Sequence, residues 1–450
     1  MEYTKAHFGY NQLMYDQLIE NASEVKILEK ERSECGAGSR WIWIWKNPRY
    51  VSMWGLLLCF LWEMAAWAQE TRECRARLVF VGDIMVHKEQ IQGALKGNVW
   101  NFTHQFRRVK PLFQNAFVVG NLETVFAGEK RGFAGYPSFN TPDELTDALS
   151  DLGVDLVTLA NNHILDRGLT GAARTITVLD SADILWTGLG RGEVKPNEPL
   201  FVEYAGFRWA FVNYSYGSNH AVASSEALSS SEALTSGDVL ASGDVRLNLI
   251  SNASVESGLA QAWESSPDIV VACFHWGNEY QFIPTKRQRE AAAFSVERGA
   301  HIVIGTHPHV LQPMEITSSD RGYSLTAYSL GNFISYQRII PRERSAILAV
   351  DVEKKHGEQA RISHVSVAPI WVSTTRPKGK FLIETVYAGT SPRFNHAGLS
   401  PNELWKARQA GKAVLEFLGA AEEPDGEGFY TLWNAASPDH LPQSRRKMPQ

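Results

Sequence analysis

The 450-residue chain has a formal net charge of −5, with 44% apolar and 21% charged residues. That balance is globular and offers no strongly basic surface, which argues against a nucleic-acid partner. The length admits one large α/β domain or two ordinary ones. Among Cys35, Cys59, Cys74 and Cys273 no pair has C-x-x-C spacing, so neither a disulfide framework nor a thiolate zinc site is indicated.

Residues 1–50 are polar, carry no core-forming pattern of useful length and read as an N-terminal extension. Lys46-Asn-Pro-Arg49 then precedes an apolar stretch, Val51 to Ala66, that ends Ala66-Trp67-Ala68. A basic flank, a short apolar core and an A-x-A ending over 51–68 are the parts of a secretory signal, and the core is short for a spanning helix. Two readings stand: a cleaved signal whose true start lies near Met53 or shortly upstream, or an uncleaved anchor with its basic side inside. Both imply export.

From Arg75 onward, apolar runs with the length of buried strands alternate with helical segments, which predicts an α/β domain over 75–390. Leu78–Val81 is closed by Gly82-Asp83, with Met85 and His87 beyond. Phe117–Val119 leads to Asn121 and Glu123, and Leu156–Leu159 to Asn161, Asn162, His163 and Asp166. Trp209–Val212 follows. Ile269–Phe274 leads to His275, Glu279 and Tyr280; here Cys273 reads as a buried small hydrophobe. Ile302–Ile304 is broken by Gly305 and followed by His307-Pro308-His309, where Pro308 favours an extended His307. Leu325–Tyr328 leads to Asn332. Helices are predicted over Pro142–Leu152, Gly171–Ala182, Lys286–Arg298 and 400–419, and antiparallel strands over Ala346–Val352 and Ala360–Val367. Residues 215–250, rich in Ser, Ala, Glu and Gly, read as a flexible insertion, either a lid or a plain disordered loop. Residues 391–450 are expected to be a C-terminal helix and a polar tail, disordered from Pro438.

Asp, Glu, Asn and His thus gather just past the C-terminal ends of strands, the edge where open α/β sheets bind ligands. Each has an alternative reading alone: a turn residue for Asp83, a solvated carboxylate for Glu123, helix caps for Asn161 and Asn162, a core histidine for His275. Together, Asp83, Glu123, Asn162, His163, His275, His307 and His309 form an oxygen and imidazole donor set suited to Mn, Fe, Zn or Mg.

Gly82-Asp-Ile-Met85, Asn121-Leu-Glu123, Ala160-Asn-Asn-His163 with Asp166, His275-Trp-Gly277 with Glu279-Tyr280, Gly305-Thr-His-Pro-His-Val-Leu-Gln312 and Ser329-Leu-Gly-Asn-Phe333 resemble the motif series of the CapA family. These are bacterial capsule and poly-γ-glutamate biosynthesis proteins, and the resemblance covers roughly residues 76–375. The family is similar to calcineurin-like metallophosphoesterases. The resemblance therefore implies a four-layer αββα sandwich, one or two divalent metal ions, export, membrane association and an anionic cell-surface polymer as partner, beside other biosynthesis proteins.

Carried over residue by residue, the resemblance makes Asp83, Glu123, Asn162, His275, His307 and His309 metal ligands and His163 a proton donor or oxyanion stabiliser. Glu279 becomes a general base or acid, or the residue that orients His275. Asn161, Asp166, Tyr280 and Asn332 are assigned to substrate binding. The chain departs from the pattern at Met85, which stands where D-x-H would place a ligand, with His87 two residues further on. The implied activity is hydrolysis of a phosphoester or γ-glutamyl bond. The alternative is a non-catalytic, membrane-tethered accessory that binds or guides the polymer. Met85 favours the accessory, while Asn162-His163 and His-Pro-His favour the hydrolase. No G-x-S-x-G elbow or phosphate-cradling glycine loop occurs.

Overall fold

A computed structural model describes residues 73–220, 245–319, 322–394 and 396–438. The extension 1–50, the signal or anchor at 51–68, the centre of the 215–250 insertion and the end of the tail lie outside the described residues.

Two mixed sheets form the framework. The first has nine strands. Its central strands are β1 (Cys74–Ile84), β2 (Phe117–Leu122), β3 (Leu156–Thr158) and β4 (Leu185–Thr187), all parallel. The second has six strands: β5 (Leu200–Tyr204), β6 (Phe207–Ser215), β7 (Ile269–His275), β8 (Ile302–Thr306), β9 (Met314–Ser319) and β10 (Gly322–Ala327). Its inner four, in the order β10-β8-β7-β6, are parallel, and antiparallel β9 and β5 close the two edges. The chain then returns to the first sheet. There β11 (Asn332–Ile334) joins the end of β1, and β12 (Arg344–Lys354), β13 (Arg361–Thr375) and β14 (Leu382–Tyr387) extend it antiparallel.

Phe117 on β2 stacks against Phe211 on β6, with ring centroids 5.8 Å apart, so the two sheets meet face to face. The crossover helices must then lie on the outer faces. For the first sheet these are α2 (Leu145–Leu152) and α3 (Gly168–Ser181), whose Leu149, Ile176 and Leu179 are buried; α1 (Lys88–Ala94) follows β1. For the second they are α4 (Asn252–Glu264) and α5 (Lys286–Glu297). Val255 and Leu259 of α4 pack with Val212, Val270 and Phe274, while the alternate residues of the same strands face the other sheet. The result is the expected α/β sandwich in four layers.

The predicted helices and strands are all present, with two differences. Gly82 and Gly305 lie inside β1 and β8 rather than ending them. A Cβ on Gly82 would sit 1.8 Å from the carbonyl oxygen of Gly331, and one on Gly305 would sit 2.0 Å from that of Tyr328. Each glycine therefore lets two strand ends approach closely beside the motif residues. The C-terminal region is also more than a helix and tail. Helix α6 (Pro401–Leu418) packs on the antiparallel strands, and β15 (Tyr430–Asn434) pairs with β13, where Trp433 meets Tyr323. Cys74 is disulfide-bonded, which the cysteine spacing does not indicate, whereas Cys273 is a buried free thiol.

Candidate metal centre

Strand register brings the motif residues into rows. In the first sheet Asn332, Asp83, Asn121 and Thr158 are neighbours across four parallel strands. In the second, Ser215, His275 and Thr306 form the corresponding row. Parallel strands put their C-terminal ends on one edge, so both rows face the same crevice between the sheets. Asn121 joins them: its Nδ2 donates to Asp83 Oδ1 at 2.8 Å and lies 3.4 Å from His275 Nδ1.

The cluster centres on Glu123, which is fully buried. Its Oε1 has no hydrogen-bond partner and lies 3.7 Å from both His275 Nε2 and His309 Nε2. Two groups of metal-capable side chains share it, Asp83–Glu123–His309 and Glu123–His275–His307. A third group, Glu279–His307–His309, lies toward solvent.

The hydrogen bonds around the histidines show what is missing between them. Thr306 Oγ1 donates to the Phe274 carbonyl, so it accepts from His275 Nδ1 at 3.0 Å. His275 Nε2 is then a bare acceptor, yet Asn162 Oδ1, also an acceptor, lies 2.8 Å away. The Asn162 amide nitrogen is committed to Asn219 Oδ1 at 3.2 Å. Likewise His309 Nδ1 donates to Asp83 Oδ2 at 2.9 Å, leaving Nε2 toward Glu123. His307 Nδ1 is buried without a partner. The lone pairs of Asn162 Oδ1 and His275 Nε2 thus face each other with no proton between them, an arrangement that a divalent cation resolves. The donors present fit the implied metal: Asp83, Glu123 and His309 would hold one ion, and Glu123, His275 and His307, with Asn162 adjacent, another.

Electrostatics agree with that reading. Burial, followed by the charge of Asp83, raises the Glu123 carboxyl well above its ordinary range. Burial and then neighbouring His307 push His275 well down, and burial and then His309 push His307 down to about 3. The imidazoles are therefore neutral, the protonation state that binds metal.

His307 and His309 adopt φ of +94° and +54°, and Tyr280 +64°. His307 is thus not in the extended conformation expected before proline. Its amide points to Asp83 Oδ1 at 3.4 Å, and its ring sits 4.7 Å from both His275 and Tyr216. Backbone strain of this kind persists where surrounding contacts enforce it.

Other placements differ from expectation. His163 is buried, with Nδ1 2.9 Å from Asp166 Oδ2, and Asp166 also accepts from the Phe139 amide. Asp166 therefore holds His163 through Oδ2. Asn161 is equally enclosed, donating to the Leu122 carbonyl and accepting from the His163 amide. Asn332 donates to the carbonyls of His309 and Arg342 and ties two loops together. All three residues are buried, while Asp166 Oδ1 and Asn332 Oδ1 have no hydrogen-bond partner among the described residues. Glu279 joins His307 and His309, while His275 takes its orientation from Thr306. Tyr280 stays half-buried at the mouth. Among the described residues His87 is in none of the groups of His, Cys, Asp and Glu placed to hold a metal; its Nδ1 accepts from the Tyr336 amide at 3.3 Å. Asp83 completes its group with His309 instead.

Sequence reasoning quoted Asn121 and Thr306 within motifs but gave them no role, and it missed Tyr216 and Asn219. Asn121 and Thr306 each sit one or two residues from a predicted ligand, a readable signal. Tyr216 and Asn219 fall in the stretch assigned to the insertion. Asn219 contacts both Asn162 and the His163 ring, so 215–220 belongs to the site.

Residues 77–337 match the family model described as "Bacterial capsule synthesis protein PGA_cap". The chain belongs to this family. Curated relatives of this PGA_cap member include "Capsule biosynthesis protein CapA" of Bacillus anthracis, 28% identical over 349 residues that cover 74% of this chain and 78% of that one. "PGA biosynthesis protein CapA" of Bacillus subtilis (strain 168) is 26% identical over 326 residues, covering 69% and 78%. A solved structure of a hypothetical protein from Thermus thermophilus resembles the PGA_cap chain at 17% identity and a TM-score of 0.39, covering 65% of this chain and 98% of that one. The sulfate thiohydrolase SoxB from the same organism does so at 15% and 0.33, covering 69% and 45%.

Proposed function

We propose that this PGA_cap protein is an exported, metal-dependent hydrolase acting on a phosphoester or γ-glutamyl bond during synthesis or export of an anionic capsule polymer. The observation that carries this reading is the unpartnered Glu123 Oε1 between two histidine nitrogens. Bound metal would supply a water nucleophile near neutral pH and a charge that polarises the reacting centre. The chain's own residues supply the rest. Asn162 and Asn219 line the approach to the cluster. His163, fixed through Nδ1 by Asp166, keeps Nε2 for proton transfer to the leaving group. Glu279 is exposed at the mouth beside His307 and His309. The relatives' names support the polymer, and the segment 51–68 supports export.

A non-catalytic accessory role is the second reading, favoured by one observation: among the described residues His87 joins none of the metal-capable groups, and Met85 stands where the pattern has a histidine. Hydrolysis assays separate the two. The full chain, loaded with Mn or Zn, is offered aryl phosphoesters and γ-glutamyl oligomers. The account expects turnover of one class, lowered roughly 10²- to 10⁴-fold in His163→Asn with metal retained. A metal-loaded protein that cleaves neither class would leave the accessory.

A further inference from the structure

The segment 335–343 rims the site and carries two arginines four residues apart, Arg338 and Arg342. Among the described residues neither has a hydrogen-bonded or ion-paired carboxylate; each instead lies over an aromatic ring. The Arg342 guanidinium carbon is 3.3 Å from the Tyr280 ring centroid, and that of Arg338 is 4.9 Å from the ring of Tyr336. Tyr280 follows Glu279 in sequence, and its ring is 6.1 Å from that of His309. The Arg342 backbone is fixed as well. Its amide donates to the Ile339 carbonyl at 2.8 Å, and its carbonyl accepts from Asn332 Nδ2, which also contacts the His309 carbonyl. One asparagine thus ties the loop bearing Arg342 to the loop bearing a candidate ligand. Between the arginines, Ile339 and Ile340 are 61% and 58% exposed.

We propose that Arg338 and Arg342 are the specificity-determining residues of this site, binding carboxylates of an anionic polymer on either side of the reacting unit. The inference rests on the reading of the site as one that handles such a polymer. A guanidinium stacked on a ring stays planar and loses little freedom on pairing with a carboxylate, so it is a prepared anion receptor. The order cation, two exposed isoleucines, proline, cation suits a chain whose carboxylates are separated by short aliphatic spacers. A sugar-phosphate chain would not use the isoleucines. Asn332 acts through Arg342 and is a positioning residue.

The test is binding of an oligo-γ-glutamate of about ten units to the full chain, followed by calorimetry at low and at physiological salt, with a poly(glycerol phosphate) of similar length as the second arm. Wild type is expected to bind oligo-γ-glutamate more tightly than the phosphate polymer, with affinity that falls as salt rises. The double variant Arg338→Gln, Arg342→Gln should bind it about tenfold more weakly or worse, and Arg342→Lys should recover part of the loss. Both side chains reach solvent, so an unchanged melting temperature verifies folding. Equal affinity in wild type and double variant, or no binding of oligo-γ-glutamate by wild type, overturns the proposal. Hydrolysis is scored separately. Turnover with unchanged affinity in the double variant would sink this inference and leave the proposed activity standing.

Discussion

Glu123 is where the chemistry of single residues decides most. Its carboxyl is raised by burial and then by Asp83, so a proton competes with an incoming cation up to higher pH than at an ordinary carboxylate. Metal binding is therefore expected to release a proton, increasingly so as pH falls through the raised value. Calorimetry in buffers of different ionisation enthalpy measures that release directly, and buffer-independent heats would contradict it. His163 and Asp166 test the proton-transfer role in the same way. Asp166→Asn should leave metal content unchanged and lower turnover by roughly tenfold or more, because the ring loses the acceptor that fixes Nδ1. The ligand types at this scale were legible in the sequence, since Asp, Glu and His past strand ends are costly to bury without partners. The distinction between ligands and the residues that hold them was not. Asp166, Asn161 and Asn332 carry the right polar groups, but only the fold shows Asp166 Oδ2 committed to His163, Asn161 Nδ2 to the Leu122 carbonyl and Asn332 Nδ2 to two loop carbonyls.

At the scale of elements, β1 and β8 reach the site through glycines in close contact with a neighbouring strand. Gly82→Ala would force the Gly331 carbonyl away and move Asp83, whose amide donates to that same carbonyl at 3.0 Å. Such overpacking costs about 1–3 kcal/mol. The variant should melt earlier and bind metal more weakly, and a variant with wild-type metal affinity would refute the positioning role. Phe211→Ala tests the joint between the sheets. Loss of its stack on Phe117 should cost about 3–5 kcal/mol in urea unfolding, without removing any donor. Strands and helices were readable because apolar runs of strand length alternate with helical segments between turn residues. Strand ends were less so: glycine signals a break in sequence, whereas here it signals close approach inside a strand. β15 escaped because Tyr430–Asn434 is short and pairs with β13, far away in the chain.

For the whole molecule, burying a metal site makes stability depend on pH when the metal is removed. His87 is pushed down to about 4 and His307 to about 3, chiefly by burial, and His275 is pushed well below its ordinary value. A folded-state value below the unfolded one means the unfolded chain takes up protons first. Stability from these groups is therefore present above about 6.5 and is lost progressively as pH falls toward 3–4. Glu123, raised in the folded state, works in the opposite direction. Net apo-protein stability should fall by roughly 1 kcal/mol or more per pH unit below about 6. Urea unfolding of chelator-treated protein at about pH 7.5 and about pH 5 checks the sign. The most direct test of the whole account is elemental analysis of the full chain after loading with Mn or Zn and desalting, beside Glu123→Gln, His307→Ala and Arg342→Gln. The account predicts stoichiometric metal in wild type and Arg342→Gln, and its loss in Glu123→Gln and His307→Ala. Wild type that holds no metal, or Glu123→Gln that holds as much as wild type, would contradict it.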